Sequence, residues 1–178
     1  EAWALVDRLT EAFQYHLLRS SCDIAIEKGK CEGFERTKYA DGLLPIDHYK
    51  KEVDEIVPHK QRMAWESLRK DIAKYGLRHS TLSAQMPSES SSVVSNETNG
   101  IEPPRALMSI KKSEKGPLKQ IAPGFPKLKN DYTLLWDMPS NEGYINVVAM
   151  MQKYFDQAIS GNWSYNPLQF ENNEVPLS

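Results

Sequence analysis

Five consecutive residues, Pro87-Ser88-Glu89-Ser90-Ser91, form the one constellation in this 178-residue chain whose types and order suggest a definite chemistry. If a helix begins near Ser90, its first backbone N–H groups have no acceptor inside the helix. They stand at the positive end of the helix dipole, and serine hydroxyls add further donors. A strand leading into such a helix start makes an anion site at the carboxyl edge of a sheet. A phosphate or diphosphate can bind there without a lysine. The wider stretch Pro87–Asn99 also suits a Ser-rich flexible linker on composition, and Ser/Glu at a helix start also suits plain capping. The residues alone leave these alternatives open.

Other chemistry-bearing residues offer less. Glycine-rich phosphate loops, HExxH and GxSxG are absent from the sequence. His16, His48, His59 and His79 are scattered, and each reads as a surface or satisfied core histidine rather than a catalyst. The acidic residues, Glu52, Asp54 and Glu55 among them, read as solvated helix faces. Cys22 and Cys31 form neither a disulfide framework nor a CxxC or Cys/His metal cluster. They read as free thiols of a reducing, cytoplasmic compartment. The acceptor patterns at Asn96-Glu97-Thr98 and Asn162-Trp163-Ser164 carry no weight without a secretory signal, and the chain, opening on Glu1 inside what reads as a helix, is expected to have none.

Elements that must position the loop can be drawn from periodicity. The length suits one domain, and a net charge of −2 argues against a general nucleic-acid or anionic-membrane binder. Leu5, Val6, Leu9, Phe13, Leu17 and Ile24 predict a first helix that stops at Gly29. Pro45 opens a short helix through Val53. A third helix runs from Arg62 to Tyr75 on Trp65, Leu68 and Ile72, with Gly76 as its stop. Leu77–Met86 has the length of a buried strand leading into the loop. Met108–Ile110 and Leu118–Ile121 predict a hairpin across Ser113-Glu114-Lys115-Gly116. Pro126 starts a short helix ending near Trp136. Asn141 caps a last helix with a face of Tyr144, Val147, Val148, Met151, Phe155 and Ile159, ended by Gly161, and Trp163–Tyr165 reads as a short strand. Opening in mid-helix and ending without a tail, the chain is expected to be a piece of something longer.

Several runs are more specific. They are Trp65-x-x-Leu68, then Gly76-Leu77-Arg78-His79, then Ser83-Ala84-x-x-Pro87. They continue through Met86-Pro87-Ser88-Glu89-Ser90-Ser91 into Ser95-Asn96-x-Thr98-Asn99-Gly100-Ile101-Glu102-Pro103-Pro104-Arg105. With Leu44-Pro45-Ile46-Asp47-x-Tyr49-Lys50-Lys51 and Leu134-Leu135-Trp136-x-Met138-Pro139, they resemble the large subunits of class Ia ribonucleotide reductases. The resemblance runs from the first helix to Val175-Pro176. It implies an α/β fold, a partial reductase-type barrel of helices, a buried strand and a β-hairpin, from the later half of the catalytic barrel. Residues 1–178 would then be one segment of that domain, with 87–99 as its strand-to-helix loop.

The same resemblance implies a function. The family reduces ribonucleoside diphosphates to their 2′-deoxy forms through a cysteine thiyl radical and a reducing cysteine pair. Pro87, Ser88, Glu89, Ser90 and Ser91 match the loop that holds the substrate diphosphate. The three serines would donate, Glu89 would act through its backbone, and Pro87 would lie near the sugar or base. The radical cysteine, its Asn and Glu neighbours and the redox pair would lie upstream, and the relay tyrosines downstream. No catalytic residue is therefore expected in this chain, nor any cofactor. The assembled enzyme would draw on a metal–tyrosyl radical in a small subunit, a dithiol reductant such as thioredoxin or glutaredoxin, and nucleotide effectors. The remainder of the large subunit would bury the first helix, so the isolated chain would expose apolar surface and reduce no nucleotide. A non-catalytic phosphate-binding or interaction module derived from the reductase is the alternative.

Overall fold

A computed structural model describes residues 2–58, 60–88, 90–113 and 116–165. The chain divides into two compact units. One comprises Glu1–Gln85 with Ile145–Ile159, the other Met86–Tyr144 with the described part of Ser160–Ser178.

The first unit is built on α1 (Ala2–Lys28) and α3 (Trp65–Tyr75). Helix α1 stops where expected: Gly29, at φ 81°, donates its N–H to Ala25 O at 2.9 Å. The short helix at Pro45 is split. Helix α2 covers Pro45–His48, and a 3₁₀ turn follows over Lys51–Glu55. Pro45 supplies a preset φ at the first helical position, and Asp47 Oδ2 accepts the Leu44 N–H at 2.7 Å. Helix α3 starts at Trp65 rather than Arg62, and the N–H groups of Arg62 and Met63 just before it donate to the Glu11 carboxylate. It ends on Gly76, whose φ of 74° favours glycine. Leu18, Cys22, Trp65, Leu68 and Ile72 meet in the core together with Leu44 and Tyr154.

The face that α1 buries is not the predicted one. Asp7, Thr10, Glu11, Gln14, Leu18, Ser21, Cys22 and Ala25 are buried, whereas Leu5, Leu9 and Phe13 are exposed. Leu77–Met86 also departs from a buried strand: it makes a single parallel bridge, Gln85 to Ile159, and Thr81, Ala84 and Met86 are exposed. Side chains and loop backbone hold it instead. Asp156 Oδ2 accepts the N–H groups of Leu82 (2.7 Å) and Ser83 (3.3 Å), and Gln157 N donates to Ser83 O at 3.1 Å.

The second unit contains α4 (Ser91–Ser95) and the predicted hairpin, β1 (Met108–Ser113) paired antiparallel with β2 (Gly116–Ile121). The register pairs Met108 with Ile121 and Ser113 with Gly116, and the tip residues 114–115 lie outside the described residues. These two strands make the described sheet, so the architecture is mixed α and β without a closed barrel. The helix expected after Pro126 is a run of turns ending in a 3₁₀ turn at Leu135–Asp137. Helix α5 (Glu142–Gln152) stops well before Gly161, and Trp163–Tyr165 is not a strand. No described helix is long and apolar enough to cross a membrane.

Candidate diphosphate-binding loop

Composition alone permits a structureless linker at 87–99, but the segment is folded. Helix α4 begins at Ser91 with Ser90 at the cap position, close to the start predicted from sequence. Its first turn closes through Ser92 N to Ser88 O (3.2 Å) and Val93 N to Ser90 O (3.2 Å). The capping expected of Ser90 does not form. Its backbone sits at φ −95°, ψ −43°, already helical, and its side chain makes no cap bond. A cap residue needs extended backbone to aim its oxygen at the second or third helical N–H. Instead Ser88 Oγ and Ser91 Oγ bond each other at 2.5 Å.

The turn is pinned at its far end. Ser88 N donates to Asn99 O at 2.5 Å, and Ser92 Oγ donates to Asn99 Oδ1 at 2.7 Å. Asn96, left-handed at φ 54°, ends the helix. It exchanges two 3.4 Å bonds with the backbone of Ile121 at the end of β2. The hairpin thus anchors the loop, with Ser92 buried on the inner side and Ser88, Ser90 and Ser91 exposed on the outer. Among the described residues the N–H groups of Ser90 and Ser91 find no acceptor. Pro87 is half-buried and lines a cleft of about 590 Å³ that also touches Asn99, Glu102, Arg105, Lys111 and Gln120. That volume lies within the range of small-molecule sites. Glu89 lies outside the described residues. Four of the five predicted site residues are therefore grouped at one turn, with Ser88, Ser90 and Ser91 exposed and Pro87 half-buried.

The first unit holds a polar cluster that apolar periodicity missed. Buried Asp7 accepts from Arg62 Nη1 (2.8 Å), Lys153 Nζ (3.1 Å) and Tyr154 Oη (2.9 Å). Glu11 accepts from Arg62 Nη1 at 2.9 Å and Trp65 Nε1 at 3.0 Å. Lys153 is fully buried and also pairs with Asp54 Oδ1 at 3.2 Å. Asp54, expected on a solvated face, is half-buried and accepts the Tyr49 hydroxyl at 2.7 Å. Burial opposes ionisation of Asp7, but bonds from Arg62, Lys153 and Tyr154 outweigh it and hold the carboxyl below the usual aspartate range. Burial pushes the Tyr154 hydroxyl up, and the Asp7 charge adds to it. Asp7 and Glu11 take up the donors of Arg62, Lys153, Tyr154 and Trp65, so the arrangement reads as structural. The sequence signal was a second helical stripe, Asp7, Glu11, Gln14 and Leu18, lying beside the apolar one.

Of the remaining candidates, His79 Nδ1 meets Ser21 Oγ at 3.0 Å, and His16 and His48 are exposed. His59 lies outside the described residues. Both cysteines are free, and burial pushes the Cys22 thiol up. Among the described residues no group of acidic, His and Cys side chains is arranged to hold a metal.

Comparison with known proteins gives these features a context. A family model described as "Ribonucleotide reductase, barrel domain" matches residues 1–175. The chain is 56% identical over 173 residues to the ribonucleoside-diphosphate reductase subunit alpha of Buchnera aphidicola subsp. Baizongia pistaciae, covering 97% of this chain and 23% of that protein. It is 50% identical over the same length to the ribonucleoside-diphosphate reductase 1 subunit alpha of Escherichia coli, again 97% of this chain and 23% of the relative. With the subunit alpha of Enterobacteria phage T4 it shares 42% over 176 residues, 98% of this chain and 23% of that protein. The chain spans less than a quarter of the length of these relatives. It belongs to the ribonucleotide reductase barrel-domain family, as a segment of the large subunit.

Proposed function

We propose that this segment works as part of a ribonucleoside-diphosphate reductase large subunit and supplies the loop that grips the substrate's diphosphate. The observation that carries this is the turn at 87–91. Ser88, Ser90 and Ser91 are exposed, and the N–H groups of Ser90 and Ser91 are unclaimed among the described residues, while Asn96 and Asn99 hold the turn rigid from behind. A diphosphate there accepts from backbone N–H and hydroxyl donors fixed before it arrives, so little ordering cost accompanies binding. Glu89 contributes through its backbone, since its carboxylate would repel the ligand. Pro87, which lines the cleft, would lie near the sugar or base.

The reduction itself needs groups this chain does not carry. The thiyl radical, its neighbours and the reducing cysteine pair come from the remainder of the large subunit. The radical originates at the small subunit's metal–tyrosyl centre, and thioredoxin or glutaredoxin restores the dithiol. The chain's own residues bind and orient the substrate, and by itself it turns over no nucleotide. The test is made in the assembled enzyme, with this chain in place of the matching residues of a relative. Changing Ser90 and Ser91 to Ala should raise KM for the diphosphate by about tenfold or more per lost bond, at roughly 1.5–3 kcal/mol for a hydrogen bond to a charged group. An unchanged KM removes the loop from the substrate site. Reductase turnover by the purified chain alone refutes the division of labour.

A further inference from the structure

Asp156 differs from the other carboxylates of its unit. Asp7 and Glu11 meet Arg62, and Asp7 also meets Lys153. Among the described residues no Lys, Arg or His pairs with Asp156, and burial pushes its carboxyl above the usual aspartate range. Desolvating a charge without a counter-ion is costly, and such groups gather at functional sites. Its bonds show where it acts. Oδ1 accepts the hydroxyl of Tyr39, a core residue, and Oδ2 accepts the N–H groups of Leu82 at 2.7 Å and Ser83 at 3.3 Å. The grip is returned from the other side. Asp156 N donates to Ser83 Oγ at 3.0 Å, Gln157 N donates to Ser83 O at 3.1 Å, and Gln85 bridges Ile159. Gln152, the last residue of α5, secures this partner segment by donating to Gln157 O at 3.0 Å and accepting the Ile159 N–H at 3.0 Å.

We propose that Asp156 is a positioning residue for the substrate's diphosphate: by fixing the backbone of Leu82 and Ser83, it sets where the chain enters the serine loop. The inference rests on the function proposed above and adds a residue to that site. The loop is held at its far end by Asn96 and Asn99, whereas its near end is delivered by the 82–85 segment. Pro87 follows Ser83 by four residues, and Met86 alone separates the bridged Gln85 from Pro87. Four residues span at most about 14 Å, so freedom gained at Ser83 becomes freedom at the serine donors. A misplacement of about 1 Å in a positioned group is already costly. Among the described residues one bridge holds the segment as a strand, and the Asp156 carboxylate supplies bonds that a fuller ladder would give. Bonds to a charged acceptor are roughly twice as strong as neutral ones.

The test uses the assembled enzyme, with this chain in place of the matching 173 residues of the Escherichia coli relative. Steady-state kcat and KM for cytidine diphosphate are measured for Asp156→Ala and Asp156→Asn, with Asp7→Asn as a control for lost stability alone. Asp156→Ala should raise KM at least about tenfold and leave kcat within about twofold, the pattern of lost binding rather than lost chemistry. Asparagine keeps an acceptor of the same shape for the Leu82 and Ser83 N–H groups without the charge. Asp156→Asn should therefore recover much of the loss, with KM about threefold above the parent. Asp7→Asn should lower the melting temperature and leave KM unchanged. An unchanged KM in Asp156→Ala overturns the inference, and so does an Asp7→Asn enzyme whose KM rises as far. Should Asp156→Ala not assemble, Asp156→Asn decides: a threefold rise supports the inference and an unchanged KM overturns it. The double change of Ser90 and Ser91 to Ala separates the two readings. If it raises KM and Asp156→Ala does not, this inference falls alone. If it leaves KM unchanged, the proposed function falls and this inference with it.

Discussion

Replacing Asp7 by alanine removes the acceptor at the centre of the buried cluster. Three donors converge on its carboxylate, from Arg62 at 2.8 Å, Tyr154 at 2.9 Å and Lys153 at 3.1 Å. Their losses differ. Arg62 keeps Glu11 at 2.9 Å, and Lys153 keeps Asp54 at 3.2 Å, but Lys153 is fully buried and half of its compensation goes. Breaking a buried ion pair from one side costs about 3–5 kcal/mol. An unsatisfied buried hydroxyl at Tyr154 accounts for about 1–3 kcal/mol of such a loss. At about 2–4 °C per kcal/mol for a chain of this size, the melting temperature should drop by roughly 6–20 °C. Circular dichroism during thermal and urea unfolding reads this directly. A companion double variant, Asp7→Leu with Lys153→Met, replaces the pair by apolar groups of similar size. It should lose less than the sum of the two single changes by at least about 1 kcal/mol. The reasoning is refuted if Asp7→Ala costs under about 1 kcal/mol, or if the two single changes simply add.

Two further outcomes follow from the same packing. The Asp7 carboxyl titrates below its ordinary range in the folded chain, so its stabilisation is fully present above about pH 4, the unfolded aspartate value, and is lost as pH falls through the folded value. Urea midpoints should therefore fall on acidification below about pH 4, and Asp7→Asn should flatten that acid limb. Gly76→Ala should destabilise by about 1–3 kcal/mol in the same assay. Its φ is 74°, and an added Cβ would stand 2.7 Å from Lys30 Cβ, so a wild-type midpoint would contradict the assigned turn.

Local chemistry was the legible part of the fold. Gly29 and Gly76 end their helices as expected, because positive φ is a property of the residue itself. The hairpin formed across the glycine-bearing turn where it was expected, since its strands are neighbours in sequence. The start of α4 near Ser90 was readable too, although the cap was not: Ser90 is already helical in backbone and its side chain makes no cap bond. The strand at 77–86 required a distant partner and found one bridge, and the helix after Pro126 became turns.

By itself the sequence determined the family, through the runs around Gly76, Pro87 and Arg105. It determined the helix ends and hairpin, and it placed a cluster of serine donors in a row. Tertiary structure alone decided which side of α1 matters, whereas the α3 stripe of Trp65, Leu68 and Ile72 is buried as its spacing predicts. Periodicity says that α1 has an apolar stripe and a polar one, but not which of them meets the core. The polar stripe won, because Arg62, Lys153 and Tyr154 arrive from distant parts of the chain to satisfy Asp7 and Glu11. A carboxylate is costly to bury alone and tolerable once paired, and whether it is paired is a fact of three-dimensional placement. The apolar stripe was thereby left facing water.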